Sequence, residues 1–151
     1  MVSVSMPIRN EVLRKLAAHW DDLRGERPLP ARTEFDPLDV RYALGYISLI
    51  EVHRDPLRFY FRLDGTKQVE LFGIDCTRRF LDEAMPKDHA AMAGESYRQV
   101  AESGIPGHHL RKIRFHERMI DYEVLILPLS GATATRVDFL ATGIVPDQWS
   151  R

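Results

Sequence analysis

Cysteine is almost missing from this chain of 151 residues: Cys76 is the single instance. No disulfide can therefore close within it, a pattern that suits a reducing compartment. An excess of one charge sign is missing too. Lys and Arg number 21 against 22 for Asp and Glu, a net charge of -1. That removes the bulk electrostatic case for nucleic acid or an anionic membrane as partner. Long apolar runs are absent. The longest, around Val124 to Leu129, is broken by Pro128 and falls far short of the roughly 20 residues a bilayer helix needs. Met1 to Ser5 lack the basic start and apolar core of a secretory leader, so a cytoplasmic protein is expected. Enzyme signatures are scarce: there is no GxSxG, no Gly-rich phosphate loop with its lysine and no HExxH. No catalytic residue and no metal ligand is assigned. What remains is ordinary for one globular domain, with 44% hydrophobic and 28% charged residues.

Ile8, Val12, Leu13, Leu16, Ala17, Trp20 and Leu23 fall on one helical stripe. Pro7 suits its first turn and Gly25 its stop. Such a stripe can cover the chain's own sheet or a partner. Its width, and the stiff two-proline connector from Glu26 to Glu34, favour the partner. A homodimer with the helix from Ile8 to Leu23 in its interface is expected. Residues 1–27 read as this N-terminal helix and connector, and residues 28–151 as the domain. Asp36-Pro37 opens a further helix that Gly45 can end. Ile47 to Val52 is a buried-looking strand.

The stretch from Arg58 to Glu83 organises the rest. Phe59, Phe61 and Leu63 alternate with Arg58, Tyr60 and Arg62, the period of a strand. Asp64-Gly65-Thr66 turns the chain sharply, at a glycine that opens backbone angles other residues avoid; a positive φ there would make a β-branched substitute strained. Val69 and Phe72 start a short helix that Gly73 stops, and Phe80, Leu81 and Ala84 begin another. A longer helix runs from Met85-Pro86-Lys87-Asp88 to Gly104, with His89, Ala93, Tyr97 and Val100 on one face. Three strands follow: Gly107 to His116, Met119 to Leu129 after a turn at His116-Glu117-Arg118, and Val137 to Val145. Pro128 places the second at an end or edge, and Gly143 marks a bulge or close approach in the third. Helices inserted between strands two and three imply an α+β fold, an antiparallel sheet covered on one face and preceded by an amphipathic helix.

Order and spacing here resemble a short bacterial PAS family of the pattern P-x-R…D-P…F-x-Y-R-L-x-G-T…F-G-x-D-x-T-G. The matching residues are Pro30, Arg32, Asp36, Pro37, Phe59, Phe61, Arg62, Leu63, Gly65, Thr66, Phe72, Gly73, Asp75 and Thr77, within a likeness spanning about 28–145. Arg78 stands where that family has Gly, and Phe61 where it often has Tyr. The resemblance implies a PAS-like antiparallel sheet and a stand-alone sensory or interaction module without catalysis. Output would pass through self-association or an effector protein in trans. It also implies that a small apolar or aromatic ligand can lie between sheet and long helix. Phe61, Phe72, Met92, Tyr97, Phe115 and Tyr122 are candidate lining, and equally a plain packed core. Arg62, Gly65, Thr66, Gly73, Asp75 and Thr77 carry the structural motif.

No cofactor is expected. The run around Cys76 departs from the Gly-x-Asn-Cys-Arg-Phe-Leu-Gln pattern of flavin-binding relatives. His89 is the one placed haem candidate, set against an exposed first-turn histidine. His108 and His109 point to opposite faces of a strand and read as solvated. Asp121 and Glu123 read as a salt-bridged surface with Arg111 or Arg114. Arg62 can snorkel, bind an anion, or pair with Asp75 or Glu51 to hold the helical insert to the sheet; the pair is favoured. The rival from another class is a small isomerase or dehydratase on a cone-shaped α+β fold, using Tyr97, Tyr122 and His89. A buried carboxylate facing a tyrosine in a deep cavity would mark it.

Overall fold

The computed structural model describes residues 7–147. Helix α1 spans Glu11–Arg24. It starts later than the apolar stripe suggests, because Asn10 is the cap and accepts from the amides of Val12 and Leu13. Pro7 and Ile8 precede it. Short 3₁₀ pieces follow at Arg32–Glu34 and Pro37–Ala43, the second capped by Asp36 at the amide of Leu38. Strands β1 (Ile47–His53) and β2 (Arg58–Leu63) form a hairpin. Helices α2 (Thr66–Phe72), α3 (Leu81–Ala84) and α4 (Lys87–Ser103) come next. Strands β3 (Gly107–Phe115), β4 (Arg118–Ser130) and β5 (Val137–Pro146) complete the sheet. These five strands pair antiparallel throughout, in the order β2-β1-β5-β4-β3. This is the α+β architecture the element pattern implies, with the helical insert between strands two and three.

The sheet's two faces take different covers. α2 and α4 lie on one. α1 lies on the other, over β4 and β5. Leu13, Leu16, Ala17 and Trp20 are buried there, and Trp20 Nε1 donates to the Pro128 carbonyl at 2.8 Å. Gly143 is a close approach and not a bulge. It sits in register between Ile47 and Leu125, and a Cβ on it would stand 2.7 Å from Leu13 Cδ2. The stripe thus covers its own sheet. The proline connector does not project the helix away: it folds back, with the Ser130 amide donating to the Pro30 carbonyl at 2.9 Å. An interface built on Leu16 is corrected accordingly.

Three turns set the ends of the strands and helices. Gly65 has φ -63, an ordinary value, so the condition of a positive φ is not met. Space requires the glycine instead: a Cβ would lie 2.3 Å from the Gly45 carbonyl oxygen and 2.7 Å from that of Ile47. Arg78 keeps the left-handed turn without the glycine, at φ 63. That turn lets the Arg78 amide donate to the Phe61 carbonyl at 2.7 Å and Phe61 donate to Arg79 at 3.0 Å, which blunts the outer edge of β2. His116 and Glu117, at φ 49 and 65, form the hairpin between β3 and β4. Pro128 lies past Ile126, the last β4 residue paired to β3, so its missing N–H meets no neighbour there. Leu63 departs from its alternating partners: Phe59 and Phe61 are buried, but Leu63 is 41% exposed, beyond the irregularity in β1–β2 register.

Candidate functional site

Strand register decides which side chains meet under α4. Arg111 pairs with Tyr122, and Val124 with Ile144. Alternation then puts Arg111, Tyr122, Val124, Ile126 and Ile144 on the α4 face. The helix supplies His89, Ala93, Ser96 and Tyr97 at spacings of three and four. These residues line a partly open cavity of about 20 Å³. That is room for a single water, against several hundred Å³ for a drug-sized ligand.

The lining is polar where a core is usually apolar. Arg111 Nη2 donates to Ser96 Oγ. Among the described residues, neither Tyr97 nor Tyr122 finds a hydrogen-bond partner for its hydroxyl, and His89 Nδ1 is buried without one. Burial pushes the Tyr122 phenol up to about 12 and raises that of Tyr97, so both stay protonated donors. Burial, then repulsion from Arg111, drives His89 down to about 4 and leaves the ring neutral at pH 7. His89 is no exposed first-turn residue. Its ring centroid is 5.0 Å from Phe72 and 5.3 Å from Phe115.

Of the six residues expected to line a pocket, Tyr97 and Tyr122 reach this cavity. Phe72 and Phe115 form the next layer, Phe72 lying 5.4 Å from Tyr122 and 5.3 Å from Phe115. Phe61 is buried on β2 and Met92 is half-buried; neither borders the cavity. Sequence reasoning missed Arg111 and Ser96. A period-two count back from Phe115 through Ile113 would have put Arg111 on the helix face. Tyr97, Tyr122 and His89 do come together, and none of the residues lining the cavity is a carboxylate.

The motif residues build a second, structural cluster. Buried Asp64 accepts from Ser48 Oγ at 2.7 Å and from the Cys76 amide at 3.0 Å. Its own amide donates to Thr77 Oγ1 at 3.2 Å, and Asp75 Oδ1 accepts from the Thr77 amide at 2.9 Å. Burial raises the Asp64 carboxyl. Burial and then Asp64 push the Cys76 thiol up to about 12, so it packs as a small hydrophobe with little thiolate character. Gly73, at φ 75, ends α2, and exposed Thr66 begins it. Arg62 pairs with Glu51 at 2.9 Å, which ties β2 to β1 and not the insert to the sheet. Arg58 holds the insert to the sheet instead: it donates to both Asp82 oxygens and lies 3.8 Å from the Phe80 ring centroid.

On the opposite face the surface expected around Asp121 and Glu123 is a buried joint. Glu123 is 2% exposed and accepts from the amides of Arg9 and Asn10 at 2.7 and 2.8 Å. Buried His108, expected to be solvated, has Nε2 2.6 Å from the same carboxylate. Arg111 faces the other way and takes no part. This joint fixes where α1 begins.

A family model described as PAS domain matches residues 8–144. Among solved structures, the chain is similar to the PAS domain of a protein from Colwellia psychrerythraea. The likeness has 10% sequence identity and a TM-score of 0.51, over 76% of this chain and 99% of that one. No curated protein matches the chain.

Proposed function

This chain belongs to the PAS domain family, and from that premise we propose that it works as a sensory or protein-interaction module without catalysis of its own. The observation that carries this reading is the cavity between α4 and the sheet, where His89 Nδ1 is buried without a partner and two phenols and Arg111 reach the same space. Buried polar groups without partners are rare in a finished core. They are expected where a water or a small ligand completes the set. A drug-sized aromatic ligand would have to lift α4 off the sheet, so the ligand in this reading is small. Haem and flavin are not part of the proposal, nor are nucleic acid or a membrane, and its setting is the cytoplasm.

Output passes through self-association or an effector in trans. α1 is committed to its own sheet, so a homodimer needs another surface. Leu44 and Leu63 lie at one end of the β1–β2 hairpin, drawn together by the Gly45–Gly65 contact, and are 50% and 41% exposed. Leu38, at 58%, adds to the exposed apolar surface of the same 3₁₀ segment. Sedimentation of the full chain from about 1 to 200 µM, bracketing a micromolar dimer, tests this. A concentration-dependent dimer that Leu44→Glu with Leu63→Glu abolishes supports the surface. A parent that stays monomeric throughout removes self-association as the output.

A further inference from the structure

Arg111 narrows the chemistry of the void. Its guanidinium carries five donors and no acceptor, yet Ser96 Oγ is its one hydrogen-bonded side chain, and no carboxylate lies within ion-pair distance among the described residues. The acids nearby in sequence are engaged elsewhere. Glu95 pairs with Arg98 on the exposed side of α4. Asp121 and Glu123 belong to the opposite sheet face, with Lys112 and His108. The rest of the lining adds two protonated phenols, while the Ser96 hydroxyl is already engaged, accepting from Arg111 and donating to the Met92 carbonyl at 3.4 Å. A half-buried cation beside two phenols, with no carboxylate to meet it, is a set without a counter-charge. One water can accept from the phenols but leaves the charge uncompensated.

We propose that this void takes a small anion, a carboxylate or inorganic oxyanion of the size of formate or nitrate, held by Arg111 with Ser96, Tyr97 and Tyr122 around it. The proposal rests on the reading of the void as the sensory site. Arg111 supplies a planar fork that matches two oxygens of such an anion. The cavity of about 20 Å³ admits little beyond one oxygen. The remainder of the anion then lies beside half-exposed Arg111, towards β3, the last strand of the sheet. A bulky or apolar acid is excluded by the same measure.

The test is amide chemical-shift titration of the full chain with formate, acetate and nitrate, and with acetamide as a neutral probe of like size. Saturable shifts at residues around Ser96, Arg111 and Tyr122 are expected for the anions. Arg111→Gln should weaken them at least ~10-fold, and Arg114→Gln, an exposed arginine on the other face, should leave them unchanged. Comparing formate with nitrate separates a carboxylate ligand from an inorganic one. Equal affinity in both arginine variants, or no anion shifts up to about 100 mM, below any useful affinity, overturns the proposal. Shifts with acetamide alone overturn the anion but keep the void as a ligand site; no shift with any probe removes both. Should Arg111→Gln fail to fold, Tyr122→Phe takes its place: unchanged anion affinity there counts against the proposal and a several-fold loss supports it.

Discussion

Gly65 packs against the Gly45 carbonyl so closely that a Cβ on Gly65 would stand 2.3 Å from its oxygen. The same oxygen accepts from the Lys67 amide at 2.8 Å, so it cannot move aside without breaking the first turn of α2. The motif glycine is therefore a matter of room and not of backbone angle. Gly65→Ala is expected to cost about 3 kcal/mol, the upper end for overpacking a closed site. An unchanged denaturant midpoint would show that the 3₁₀ segment yields.

Leu16 is sealed between α1 and β5, at 0% exposure and with Cδ2 3.0 Å from where a Gly143 Cβ would sit. Leu16→Glu buries a charge without a partner, so about 3 kcal/mol or more of folding stability should be lost. Thermal unfolding together with native mass checks it. A variant as stable as the parent that merely dissociates would return the stripe to an interface.

His89 gives a pH dependence with a definite sign. Burial and Arg111 hold the folded-state ring at about 4, against 6.5 ordinarily. Between those values the unfolded chain binds more protons. Stability is thus full above about 6.5 and falls as pH drops toward 4, by on the order of 3 kcal/mol. His89→Phe keeps a ring between Phe72 and Phe115 and should remove that fall. Asp64, whose carboxyl is raised, contributes with the opposite sign but equally in both proteins, so the difference curve isolates His89. Denaturant midpoints of parent and variant that run parallel from pH 4 to 7 would refute the assignment.

Arg78 adopts φ 63 with an exposed side chain, while its backbone caps the edge of β2. An L-residue is strained there. Arg78→Gly relieves the strain and gives back part of the gain through a freer unfolded chain. A net stabilisation of roughly 0.5–1 kcal/mol is expected, read from the melting temperature. A lower melting temperature would mean that the arginine side chain contributes more than the turn costs.

Most of the fold was legible because its signals are local. Period-two alternation marked β2, Asp36-Pro37 and Gly73 marked ends, and helical spacing marked the buried face of α4. Helix α1 was legible as a helix but not in its destination, since an apolar stripe looks alike whether it meets its own sheet or a second copy. The site was half legible. Tyr97 and Tyr122 stood out as large aromatics on the right faces. Arg111 did not, because only the register of β3 on β4 brings it under Ser96. Glu123 and His108 looked like surface residues for the same reason: Glu123 is met by the segment at Arg9 and Asn10, some 113 positions away in sequence, and His108 bonds to that same carboxylate.

The strand order carries a consequence for how the protein is made. β5 is the last strand of the sheet to be synthesised, yet it lies at the centre, between β1 and β4. Until residues 137–146 leave the ribosome, the two halves of the sheet have no common neighbour, and α1 lacks half the surface it covers. The nascent chain therefore stays an open pair of hairpins, their inner edges free, until that strand emerges. Long-range closure of this kind is slow, and the exposed edges of the waiting hairpins are where a chaperone would act.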